Sequence, residues 1–130
     1  MARLKFYENE RIMLDKLGFK PRNNRITEKK HILLVIKKLC KHFKFDLPDV
    51  RFYGNSDSGS AKVKSRVIRL DHNPSYQVVI HELAHIYNHD NDLDGEKCHT
   101  KKLMRTIKKF AKYIMKKQYW VKPEPEPVNP

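Results

Sequence analysis

The chain has 130 residues, enough for one domain with its own core and too few for a second of useful size. Hydrophobic residues make up 39% and charged residues 33%, the balance of a soluble globular protein rather than of a membrane-embedded one. The net charge of +13 favours polyanionic partners, nucleic acid above all, and says nothing about chemistry.

The opening stretch, MARLKFYENERIML, interrupts its apolar residues with charges and contains no signal-peptide core, so a cytoplasmic protein is expected. Ile12, Leu14 and Leu17 predict a short helix ending at Gly18, and residues 21–25 read as a loop. Thr27 can cap a helix whose positive end Glu28 favours. That helix runs to about Phe43, with Ile32, Val35, Ile36, Leu39 and Phe43 as its buried stripe. Leu47-Pro48-Asp49 is a break. Val50 to Tyr53 predicts one strand, residues 54–60 a flexible turn, and Val63 to Leu70 a second strand. Together they predict a small antiparallel sheet.

Asn73 as cap and Pro74 in the first turn predict a helix over about residues 75–88. A polar loop, HDNDLDGE, follows. A last helix is expected from near Glu96 to about Tyr119. The domain is thus placed at residues 1–120, and the Pro-rich segment 121–130 is expected to be an extended, mobile tail. No stretch reaches the length of a membrane span. Cys40 and Cys98 form no CxxC pair, which excludes a zinc ribbon, and both are expected as reduced thiols.

Within the third predicted helix lies His81-Glu82-Leu83-Ala84-His85, an HExxH pattern. Residues four apart on a helix stand one turn above each other, so both imidazoles can bind one Zn²⁺. Glu82, on the edge of that face, can reach a metal-bound water and act as general base. The chain has 7 histidines, so the pattern alone is weak evidence. Its position on a helix with Val79, Leu83 and Ile86 facing a core gives it weight.

A catalytic zinc needs a third protein ligand and an open position. The long metzincin pattern fails, because Asn88 and Asn91 stand where Gly and His are required. His89 is about 12 Å from His81 by helical rise, too far on a straight helix. His99 follows His85 across a loop long enough to reverse the chain, and it opens a stripe with Leu103, Ile107, Phe110 and Ile114. Asp92, Asp94 and Glu96 are carboxylate alternatives. Tyr53, Tyr76, Tyr87 and His72 are available as oxyanion stabilisers, with nothing to select among them.

The order of a strand ending in IRL, the segment SYQVVIHELAHIYNHD, an acidic loop, His99 and KKLMRTIKKF resembles the SprT-like zinc metalloproteases, which include the Spartan proteases. The likeness covers about residues 50–114. It implies an α+β zincin-like domain with one catalytic Zn²⁺, His81, His85 and His99 as ligands, and Glu82 as the base. It also implies that Arg66 to Leu70, with Arg66, Ile68 and Leu70, is an edge strand that pairs with an extended peptide. Protein on or near DNA is the substrate it suggests. The chain departs from the family pattern in having Thr100 after His99, and it has no Cys₄ ribbon.

Lys101, Arg105, Lys108 and Lys112 form a basic stripe on the last helix, opposite its apolar face, with Tyr113, Tyr119 and Trp120 interleaved. Non-specific contact with nucleic acid is expected there. Two rival readings stand beside the protease: a nucleic-acid-binding module with a structural or vestigial metal, and a non-proteolytic metallohydrolase. A monomer is presumed.

Overall fold

The computed structural model describes residues 2–19, 29–53, 59–72, 74–91, 93 and 99–117, with side chains from residue 5 onward. Its elements are α1 (Ala2–Leu17), α2 (Lys29–Phe43), β1 (Asp49–Phe52), β2 (Gly59–Lys62), β3 (Val67–Leu70), α3 (Tyr76–Asp90) and α4 (Lys101–Lys117). The architecture is α+β, four helices with a small three-stranded sheet. No helix among these residues is long and apolar enough to cross a membrane.

α1 is longer than its apolar set suggested; of that set Leu14 is buried and Leu17 partly so, and Ile12 faces outwards. Phe6, Glu10 and Leu14, four residues apart, are the buried stripe, whereas Ile12 is 43% exposed. The helix stops where expected. Gly18 adopts φ +83°, a conformation that glycine reaches without steric cost. The Phe19 N–H bonds the Leu14 carbonyl at 2.9 Å and the Gly18 N–H bonds that of Asp15 at 3.0 Å. This is the Schellman closure, and it tucks Phe19 into the core.

In α2, Ile32, Val35, Ile36 and Leu39 are fully buried and Phe43 packs partly buried against them. Thr27 and Glu28 lie outside the described residues. α3 begins slightly later than expected: its cap is Ser75, whose hydroxyl accepts the Val78 N–H at 3.3 Å. The expected cap, Asn73, lies outside the described residues. α4 is capped by Thr100, whose hydroxyl accepts the Leu103 N–H at 3.3 Å. Glu96, Tyr119 and the 121–130 tail lie outside the described residues.

The sheet corrects the expected antiparallel pair. Its order is β1-β3-β2, with β1 parallel to β3 and β2 antiparallel to it. β2 falls partly in the segment read as a turn, because Gly59-Ser60-Ala61-Lys62 lacks the β-branched residues that mark strands. β3 is therefore the middle strand, and the expectation that Arg66, Ile68 and Leu70 form a substrate-binding edge is wrong. Ile68 and Leu70 are buried in the core. Arg66 precedes the strand in left-handed backbone with φ 56°. Its guanidinium is engaged by the Asp90 carboxylate at the end of α3 and by the Asp46 carbonyl.

α3 packs against α4 on one side and against β2 and β3 on the other, which buries Tyr76, Val79, Ile80, Leu83, Ala84 and Ile86. A single apolar cluster joins these residues to Leu103, Ile107, Phe110 and Ile114 of α4. Between the two helices the Thr106 hydroxyl donates to Asn88 Oδ1 at 2.5 Å, and both residues are buried. This bond ties the end of α3 to the first half of α4, the helix that follows His99. Cys40 is a free, buried thiol whose pKa burial pushes up to about 12; Cys98 lies outside the described residues.

Candidate metal centre

His81 and His85 stand one turn apart on α3, as helical spacing requires, and both are buried. Their Nε2 atoms are 3.2 Å apart. Two imidazole nitrogens on one tetrahedral zinc ion stand about 3.3 Å apart for bond lengths of about 2.05 Å. The pair is therefore already at the spacing of two ligands on one ion. His99, immediately before the α4 cap, brings a third ring, with centroids 5.4 Å from His81 and 5.0 Å from His85. One nitrogen from each of the three lies within 4.8 Å of the others. Three imidazoles, two of them buried, are close enough to hold a metal ion.

The sequence reading missed Glu10. This carboxylate is fully buried in α1, and its Oε2 and Oε1 lie 3.0 and 3.1 Å from Nδ1 of His81. A carboxylate oxygen accepts from Nδ1–H, and Nε2 is the ring nitrogen turned towards His85. A carboxylate behind a ligating histidine fixes its tautomer and ring plane and raises its basicity. The available signal was the spacing of Phe6, Glu10 and Leu14, which places a carboxylate in a buried helical stripe.

α1 also supplies Tyr7. Its ring stacks on His81 with centroids 5.5 Å apart, and its hydroxyl lies 3.4 Å from His99 Nε2. Phe6 meets the His99 ring edge-on at 5.1 Å. The tyrosines named from sequence have other occupations. The Tyr76 hydroxyl is bonded to His31 Nε2 at 2.9 Å, and Tyr87 packs among Phe43, Phe45 and Phe110. Tyr53 lies under the Arg69 guanidinium, and His72 is exposed.

Glu82 is 8% exposed. Burial raises its pKa to about 7, with Glu10 adding to the rise and His81 opposing it. A carboxylate that titrates near neutrality can both accept and return a proton. Burial, followed by the neighbouring His81 and His99, lowers His85 to about 3. His85 is thus neutral at physiological pH, the form that ligates metal. Gly59 of β2 lies against this part of α3: a Cβ there would sit 2.7 Å from Val78 Cγ1 and 3.2 Å from Glu82 Cγ. β2, an outer strand of the sheet among the described residues, thus runs beside Glu82.

His89 is exposed on the last turn of α3 and stands apart from the three-histidine group. Asp92, Asp94 and Glu96 lie outside the described residues. Lys101, Arg105, Lys108 and Lys112 are all exposed along α4. Tyr113, expected to be available for stacking on bases, is instead half-buried against His42 and Phe43. Tyr119 and Trp120 lie outside the described residues. No protein-family model, curated protein or solved structure matches the chain, so the site is read from its own chemistry.

Proposed function

We propose that the chain is a zinc-dependent peptidase of the SprT-like kind, acting on proteins on or near nucleic acid. The observation that carries this reading is the convergence of His81, His85 and His99 at ligand spacing, with the buried carboxylate of Glu82 next to His81 on the same helix. A three-imidazole donor set suits zinc and leaves one position open, which is the pattern of a catalytic site rather than a structural one. A zinc ion held there supplies Lewis acidity, which makes water acidic and polarises a carbonyl.

The remaining work falls to the chain. Glu82 accepts the proton of the attacking water and returns it to the leaving amine. Glu10 holds His81 by Nδ1, which would leave Nε2 as the nitrogen to hold a zinc ion together with His85. The Tyr7 phenol, next to His99, donates to the carbonyl oxygen as negative charge develops on it. The substrate backbone pairs with β2, the outer strand beside Glu82, in place of the buried β3.

Glu82→Gln tests the proposal. The variant should bind zinc like the wild type and lose cleavage of an unfolded protein substrate. Undiminished cleavage would refute the role of Glu82. The exposed stripe of Lys101, Arg105, Lys108 and Lys112 favours the rival reading, a nucleic-acid-binding module with a structural metal. In that case Glu82→Gln would leave every activity of the protein intact.

A further inference from the structure

A second feature adjoins the histidine cluster at His99. Between α1 and the start of α4 lies a cavity of about 350 Å³. His99 forms one wall, Phe6 and Met104 supply apolar surface, and Lys5 and Lys101 stand at its margin. Phe6 is buried and Met104 partly so, while both lysines are exposed. Among the described residues that line it, none is acidic.

The lining mixes apolar and polar surface: Phe6 and Met104 accept methylene groups, and Asn9 and Thr100 add polar groups. Two lysines from different helices add positive charge, and none of the described lining residues is a carboxylate that would offset them. A side chain reaching in beside His99 is therefore best satisfied by a short apolar stem that carries a negative charge. A glutamate side chain has that form. A lysine or arginine side chain would bring like charges together there.

We propose that this cavity is a substrate subsite that selects a peptide with an acidic side chain next to the scissile bond. The inference rests on the peptidase reading and adds the substrate class to it. The lysines are solvent-exposed, so each should contribute at most about fivefold in selectivity, and less as salt rises.

The test uses full-length, zinc-loaded protein and a set of unstructured peptides differing only by Glu, Gln or Lys at each position around the cleaved bond. One position should prefer Glu over the isosteric Gln by several-fold in kcat/KM and reject Lys. The double variant Lys5→Glu/Lys101→Glu should invert that order, and Lys5→Gln/Lys101→Gln should abolish it. Circular dichroism and zinc content would show that both variants fold. Cleavage without a preference for Glu, or a preference unchanged in both variants, would overturn the subsite and leave the peptidase reading standing.

Binding supplies a readout independent of turnover. The Glu and Gln peptides would be titrated into zinc-loaded Glu82→Gln protein, with and without the lysine substitutions. Equal binding of the two peptides would overturn the subsite even if no peptide is ever cut. A single-stranded oligonucleotide forms the last arm. If the lysine substitutions weaken its binding while the peptides are not discriminated, the cavity serves nucleic acid and the proposal fails.

Discussion

Glu10 and His81 are 71 residues apart in the chain and meet in the interior, the carboxylate bracketing Nδ1 at 3.0 and 3.1 Å. The contact joins α1 to the helix that carries the histidine pair. It therefore makes the first helix part of the site rather than a cover for it. Removing the carboxylate charge while keeping its shape should leave the fold intact and weaken the grip on metal. Glu10→Gln is expected to lower zinc affinity by about 10–100-fold, measured by competition with a chromophoric chelator. Unchanged affinity would mean that the contact serves packing alone.

The metal-free protein should show opposing proton linkages at Glu82 and His85. Glu82 is raised to about 7, so the folded state holds a proton that the unfolded state releases above its ordinary value of 4.5. Its contribution to stability is complete below that value and is lost as pH rises through 7. His85 is lowered to about 3 from 6.5, so its contribution is present above 6.5 and is lost as pH falls towards 3. Between these limits the two slopes oppose each other. Glu82→Gln removes one of them. The metal-free variant should gain stability with rising pH by about 1.4 kcal/mol per unit more than the wild type across the shared window, as read by urea unfolding. Parallel profiles would contradict the burial of Glu82.

Gly59 lets the edge strand press onto α3, the helix that carries the histidine pair. A methyl group there meets Val78 Cγ1, the Arg69 carbonyl at 3.1 Å and Glu82 Cγ, so β2 or α3 must shift. Gly59→Ala should cost about 1–3 kcal/mol of stability and reduce peptide cleavage by more than that loss explains. Thermal unfolding and steady-state kinetics at low temperature would separate the two effects.

Much of this arrangement was legible in the sequence, where local periodicity carries it. The histidine pair and its helix follow from spacing alone, and His99 follows from the apolar stripe it opens. Glu10 was not legible in the same way. One acid among the many charges of α1 gains meaning only when a distant histidine packs on it. The parallel pairing of β1 with β3 is likewise tertiary: β2 intervenes in the chain, and a Gly-Ser-Ala-Lys segment owes its strand conformation to its neighbours. The edge assignment failed for the same reason, since alternation marks a strand and not its place in a sheet.

The cationic stripe of α4 invites a test independent of the metal. Replacing Lys101, Arg105, Lys108 and Lys112 by Ala should weaken oligonucleotide binding to the same degree for every sequence. On single strands, the slope of log affinity against log salt should become shallower by about 0.7 for each phosphate that the variant no longer neutralises. Fluorescence anisotropy across a salt series would measure it, and an unaltered slope would place any nucleic-acid binding elsewhere on the surface.

The coordination of bound zinc tests the central claim most directly. X-ray absorption of the zinc-loaded protein should show three imidazole nitrogens at about 2.0 Å and one light-atom ligand from solvent, with one imidazole missing in His99→Ala. A closed shell of four protein ligands, or a wild-type spectrum retained by His99→Ala, would contradict an open three-histidine centre.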